Sequence, residues 1–311
     1  MLSTLLRRIL LVQILTGALL GWLAAKQTNG PVWLTFVGAL ALPLLGALLA
    51  TSLTAVKSRS PGQPGLWWRS LVFEFGAGVL IFMLRQPWAR TPAVLIPEGA
   101  VPARIPVVLV HGYLCNHRIW DTVAPRLMKA GHPVLAVDLE PLFTSIDRYS
   151  PLIEQTVETL RRHTGANRVA LVGHSMGGLA IRAWMRVHGH SRVARVLTLG
   201  TPHAGTQVAP GTDSPNGAQM EWQSQWLHAL SESETPETRG LMRIALTPQD
   251  NIVFPQMAQV LTGVPTTVFA GRGHLELCLD SAVINWILQQ LNDLTSLQSP
   301  KPNAQIYETG H

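Results

Sequence analysis

Three long apolar runs fill the first 90 residues, and a different texture follows. Residues 9–25 carry no charge between Arg7-Arg8 and Lys26. As a helix rising about 1.5 Å per residue, this run extends about 25 Å, close to the thickness of a hydrocarbon core. Residues 32–56 are likewise uncharged and mostly Leu, Ala, Val and Gly, with Pro43 inside, which kinks a membrane helix without forbidding it. Residues 27–31, QTNGP, form a turn between the two, so the pattern predicts a hairpin of spanning helices. A second apolar run so soon after the first argues against a cleaved signal peptide. Neither run shows the polar face of a soluble helical hairpin. A third stretch, 65–84, is apolar but carries Arg69 and Glu74. It either spans, with Glu74 held by a neighbouring helix, or lies along the interface as an amphipathic segment. Trp22, Trp33, Trp67, Trp68 and Trp88 fall near the ends of these runs, where indole rings prefer to sit.

After Arg90 the period shortens. Residues 106–110, 133–139, 169–172, 193–199 and 266–270 are continuous apolar runs, as expected of strands buried on both faces of a parallel sheet, and 241–246 is β-like. Residues 118–130, 151–163 and 176–188 have helical spacing. The alternation predicts an α/β fold, a mostly parallel sheet with helices on both faces. The domain plan is a membrane anchor over 1–90, an α/β domain over 91–298 with an insert at about 207–247, and a disordered polar tail over 299–311. Within the insert, 219–230 has helical spacing and reads equally as a lid or pocket wall and as an ordinary helix packed on the sheet.

Charge sharpens this division. The net +6 and pI near 9.9 suggest nucleic acid until the excess is located. Eight basic groups and only Glu74 and Glu98 lie in residues 1–100, leaving 16 basic and 16 acidic groups beyond. The excess is spread between apolar runs, so it encodes orientation in a bilayer, with no claim on nucleic acid. Placing Arg7, Arg8, Lys57 and Arg59 in the cytoplasm puts Lys26 outside. Three spans then leave the α/β domain extracytoplasmic, and two leave it cytoplasmic. The length of the third run favours three. A hydrophobic content of 47% excludes a mainly disordered chain, and two cysteines exclude a disulfide framework.

The chemistry concentrates at Gly173-His174-Ser175-Met176-Gly177-Gly178, between the strand 169–172 and a helical run. A G-x-S-x-G pentapeptide in a strand–turn–helix context is a nucleophile elbow, whose sharp turn needs glycine at the close approaches on either side of the serine. With Val110-His111-Gly112-Tyr113 after the first strand, Gly200-Thr201-Pro202-His203-Ala204-Gly205-Thr206 after a later one, Asp250 and Gly273-His274, the chain resembles the α/β-hydrolases, and among them bacterial lipases and esterases, over about residues 104–292.

That resemblance implies a serine nucleophile, then an acid, then a histidine in chain order. Ser175 needs a base oriented by a carboxylate. Of the eleven histidines only His274 and His311 follow every plausible acid, and His311 ends the tail. Asp250 follows the β-like run and lies in TPQDNIV, resembling the family's acid loop; Asp213 lacks a preceding strand, and Asp280 follows the histidine. The family's oxyanion donors map to the backbone N–H groups of Met176 and Tyr113. His174 and His203 read as packing or hydrogen-bonding neighbours of the elbow. The resemblance implies cleavage of carboxylic esters, lipid esters among them, through an acyl-enzyme, and the apolar runs make the expected protein a multi-pass one of a bacterial inner membrane. An acyltransferase or thioesterase uses the same machinery, and a membrane transport or scaffold protein with an inert domain is the rival from another class. No metal-ligand spacing or phosphate-binding loop is present, so no cofactor is expected. Cys115 and Cys278 lie four residues beyond His111 and His274 and read as two buried thiols, with a disulfide near the site as the alternative.

Overall fold

In the computed structural model, which describes residues 1–59, 63–97, 104–208 and 213–298, the chain begins with two antiparallel helices, α1 (Leu2–Thr28) and α2 (Trp33–Lys57). The tail expected over 299–311 lies outside the described residues. The hairpin closes tightly at glycine: a Cβ on Gly17 would collide with the Gly38 carbonyl oxygen, and one on Gly21 with that of Leu34. Such backbone approach is how membrane helices gain packing where no hydrophobic driving force separates them from lipid. Outward-facing side chains such as Leu15 and Leu49 are about 60% exposed, as a lipid-facing surface requires.

The third segment runs as α3 (Pro64–Gly78), widens into a π-helical stretch at Val79–Arg85, and ends in a 3₁₀ turn at Gln86–Trp88. Among the described residues, three helical segments are long and apolar enough to cross a membrane: α1, α2 and Pro64–Trp88. The third differs in placement. Near its start, Trp67 Nε1 donates to Ala55 O at the end of α2 (3.1 Å). At its end, Gln86 Oε1 accepts from the Asn116 backbone (2.6 Å), and Asn116 Nδ2 donates to Ser3 Oγ at the start of α1 (3.2 Å). Both ends of the segment therefore lie at the open end of the hairpin, against the following domain. Ser70, Glu74, Ala77 and Ile81 face that domain at helical spacing, while Trp68, Val72 and Phe73 face outward. The amino terminus is on the same side, with the Met1 ammonium 2.5 Å from Glu140 Oε1.

The domain itself alternates as the sequence pattern predicts: β1 (Val107–Val110), α4 (Val123–Lys129), β2 (Val134–Val137), α5 (Ser150–Thr164), β3 (Val169–His174), α6 (Met176–His188) and β4 (Val193–Leu199). Then come three short helices, α7 (Pro215–Gln219), α8 (Gln225–Glu232) and α9 (Pro236–Gly240), followed by β5 (Met242–Leu246), β6 (Thr266–Val268) and α10 (Ser281–Gln298). Among the described residues the strands form one parallel six-stranded sheet in the order β2-β1-β3-β4-β5-β6. Val108, Val110 and Leu171 pack under α5 and α6, while Val107, Leu109 and Val172 pack against α4 and α10. Two buried faces explain why these strands read as unbroken apolar runs.

Two boundaries differ from the sequence pattern. The insert ends by Gly240, because β5 occupies part of the range read as insert. The helix expected over 219–230 is broken at residues 220–224, where Ser224 caps a new helix by accepting from Leu227 N (3.3 Å).

Candidate active site

The chain leaves β1 to one side to form β2 and returns to the other side for β3, so the connection reverses between β1 and β3. Crevices at the carboxyl edge of such a reversal are where open α/β sheets bind ligands. Val110 and Gly173 are register partners at that edge, so the residues after β1 and those after β3 emerge together. The loop after β1 carries Tyr113, and Ser175 follows β3.

Ser175 stands between β3 and α6 with φ 55° and ψ −131°. An L-residue at such angles costs on the order of 1–3 kcal/mol and persists only where the surroundings enforce it. Here the Ser175 N–H donates to Leu199 O (2.8 Å), and two glycines admit neighbouring strands. A Cβ on Gly177 would strike Val110 O, and one on Gly178 would strike Thr201 Oγ1. Met176 begins α6, so the serine sits at the positive end of a 13-residue helix.

Asp250 and His274 converge from the loops after β5 and β6. His274 Nδ1 donates to Asp250 Oδ2 (2.8 Å), with both side chains buried. The other Asp250 oxygen accepts from the backbones of Ile252 (2.9 Å) and Val253 (2.8 Å), which holds the carboxylate in place. The competing acid, Asp213, is exposed. Burial by itself lowers the His274 pKa, but the charge and hydrogen bond of Asp250 outweigh it and hold the value above the ordinary 6.5. Because Nδ1 is the donor, Nε2 is free to accept a proton. Ser175 and His274 line one cavity of about 450 Å³, and Tyr113 and Met176 flank a small adjoining recess. Ser175, Asp250, His274, Tyr113 and Met176 are thus gathered at one sheet edge.

The remaining motif histidines are structural. His174 Nε2 donates to His274 O (3.0 Å), tying the elbow to the histidine loop. His203 accepts from Arg182 at Nδ1 (3.2 Å) and bonds Thr198 through Nε2 (3.0 Å). Burial holds both imidazoles well below the ordinary pKa. His111 accepts from Leu139 N through Nε2 (2.9 Å) and donates from Nδ1 to Gly112 O, fixing the loop that carries Tyr113. Cys115 and Cys278 are free, buried thiols, and burial pushes Cys115 up to about 12. Among the described residues, no group of His, Cys, Asp and Glu is arranged to hold a metal.

The sequence pattern missed the groups that hold these loops. Glu74 of α3 accepts from Leu275 N (2.9 Å) and Glu276 N (3.1 Å), the backbone immediately after His274. Arg69 bonds Gly271 O and grips Glu276 through both nitrogens (3.2 and 2.9 Å). The acid loop is tied to α2: Asn251 Nδ2 donates to Thr54 Oγ1 (2.9 Å), and Gln256 Nε2 donates to Ser58 O (2.9 Å). The one signal for Glu74 was its being the sole acid in the first 97 residues.

A family model of the alpha/beta hydrolase fold matches residues 105–240, which carry the β1 loop and the serine elbow. The chain has an α/β-hydrolase fold. Over 130 residues it is 32% identical to a triacylglycerol lipase of Burkholderia plantarii, a match covering 39% of this chain and 36% of that one. Over 128 residues it is 35% identical to a triacylglycerol lipase of Vibrio cholerae, covering 39% of this chain and 40% of that one. The chain thus matches about two fifths of the length of these relatives. The crystal structure of a Bacillus licheniformis lipase in its mature form superposes with a TM-score of 0.55 at 18% identity, covering 64% of this chain and 98% of that one. That likeness concerns the fold.

Proposed function

We propose that this α/β-hydrolase is a membrane-anchored serine hydrolase that cleaves carboxylic esters. The observation that carries the reading is the buried His274–Asp250 pair, 2.8 Å apart, whose histidine lines the cavity that holds a strained Ser175. The lipase resemblance supports the substrate class. His274 Nε2 takes the Ser175 proton as Oγ attacks the ester carbonyl, and Asp250 stabilises the imidazolium. The Tyr113 and Met176 N–H groups receive the oxyanion, assisted by the α6 dipole. Collapse expels the alcohol with the proton from His274, and water releases the acyl-enzyme by the same route in reverse.

The anchor is α1 and α2, with α3 at the interface. This reading rests on α3 having both ends at the open end of the hairpin and on Arg69 and Glu74 facing the domain. Two spans keep the amino terminus and the domain on one side, and Arg7, Arg8, Lys57 and Arg59 make that side cytoplasmic. This departs from the extracytoplasmic placement favoured by the length of the third run, because length and composition do not register what a helix packs against.

Labelling of the full chain with a fluorophosphonate tests the enzyme. Wild type is expected to label at Ser175 and to hydrolyse p-nitrophenyl esters, and Ser175→Ala to do neither. A folded wild type that neither labels nor turns over overturns the reading.

A further inference from the structure

The cavity at Ser175 continues past the α/β domain into the hairpin. On α1 it is lined by Leu6, Ile9 and Gln13, which share one helical face, and on α2 by Gly46, Ala47 and Ala50. Leu6 to Gln13 covers about 10 Å of helix. Ile9 and Gln13 already lie within the uncharged run that crosses the bilayer, so the cleft extends from the serine to membrane depth. It is bounded further along the hairpin by the contacts of Gly17 and Gly21 with α2. The small side chains at 46, 47 and 50 leave the space between the helices unfilled where the cleft is open. A second cavity, of about 140 Å³, leaves Ser175 on the opposite side between Pro202, Thr206 and Met220.

We propose that the cleft between α1 and α2 is the acyl-chain site of the enzyme, so that the anchor itself forms the specificity pocket and the substrate is an acyl ester resident in the membrane. This deepens the ester-hydrolase reading and rests on it. An empty apolar cleft of about 450 Å³ leading to a nucleophile has the size and lining of a ligand site. The chain chemistry follows from position: the reacting end lies among polar groups of the domain, and the far end lies at bilayer depth among Ile9, Leu10, Pro43 and Ala47, with Gln13 beside them. An acyl chain can pass between α1 and α2 without leaving apolar surroundings, whereas delivery through water would expose it. The smaller cavity is left for the alcohol.

The test uses the full chain in phospholipid vesicles and an alkyl fluorophosphonate carrying a diazirine at the end of its chain. After Ser175 is labelled, irradiation is expected to join the chain end to peptides from residues 6–13 or 43–54. Cross-linking to residues 202–221, to any other site, or to none overturns the proposal. Absence of the Ser175 adduct itself refutes the hydrolase reading, and the acyl site falls with it. Substitution gives a second readout. Gly46→Leu and Ala47→Phe are expected to lower kcat/KM for a laurate ester relative to an acetate ester roughly ten-fold or more, because they fill volume that only a long chain uses. Leu49→Phe, on the outward face of α2, leaves that ratio in place. An unchanged ratio in cleft variants that still label at Ser175 overturns the proposal.

Discussion

Glu74 links the third apolar segment to the loop that carries His274, and its removal makes the sharpest test of how the proposed site is held. Its buried carboxylate accepts from the two backbone N–H groups that follow His274, and among the described residues no other acceptor reaches them. Burial pushes the Glu74 carboxyl up to about 7, so it is charged above that pH, where hydrogen bonds to a charged group contribute about 1.5–3 kcal/mol each. Glu74→Ala therefore removes about 3–6 kcal/mol of restraint from the histidine loop before water and relaxation recover part of it. If about half of that appears in the transition state, turnover falls about 10- to 150-fold, since each 1.36 kcal/mol is ten-fold. Glu74→Gln retains a carbonyl acceptor and loses less, about ten-fold. Glu74 also raises the His274 pKa through its charge, so Glu74→Gln should move the acid limb of kcat/KM to lower pH. The assay is ester hydrolysis across neutral pH, with kcat normalised to the Ser175 sites that take fluorophosphonate. A purely structural role would lower the amount of labelled enzyme and leave the limb unmoved. Normalised turnover within about two-fold of wild type for Glu74→Ala, with a superimposable pH profile for Glu74→Gln, would refute the reasoning.

The other expectations concern the pair, the core and the topology. Asp250→Asn should depress kcat by about four orders of magnitude while the circular dichroism spectrum stays native, because the amide favours the wrong imidazole tautomer; near-normal activity would remove Asp250 from its role. The catalytic base must be neutral and its folded pKa is raised, so wild-type kcat/KM should rise with pH through an acid limb above 6.5. By the same sign, the stabilisation from the His274–Asp250 pair is complete below the ordinary value and lost as pH rises through the folded one, which thermal melts of Asp250→Asn against wild type would reveal. Arg182 and Glu234 form a buried pair 2.5 Å apart beneath α8, and Glu234→Ala should destabilise the fold by about 3–5 kcal/mol, read from urea unfolding in detergent. A phosphatase reporter, active only outside the cytoplasm, fused after His311 should be silent if the hairpin alone spans; an active fusion would make α3 a third span.

What could be read from the sequence were features with a local cause. Strands buried on both faces must be unbroken apolar runs, so the sheet was visible in 106–110 and 169–172. A serine on a sharp turn needs small residues beside it, so Gly173 and Gly177 announced Ser175. Chain order left few alternatives to His274 and Asp250, whose side chains the fold brings within 2.8 Å. What remained hidden depended on which surfaces meet. A charge at position 74 looks the same whether it waits for a neighbouring helix or clamps a catalytic loop, and the difference lies 200 residues further along the chain in Leu275 and Glu276. Likewise Thr54 and Ser58 are unremarkable at the end of an apolar run, yet they hold the acid loop through Asn251 and Gln256. The sequence by itself determined an apolar N-terminal region, a parallel α/β domain and the order of the candidate triad residues, because periodicity, turn chemistry and chain order are local. Only the tertiary structure decided that the third helix returns along the domain and that the hairpin opens onto the serine, because both depend on contacts between segments far apart in the chain.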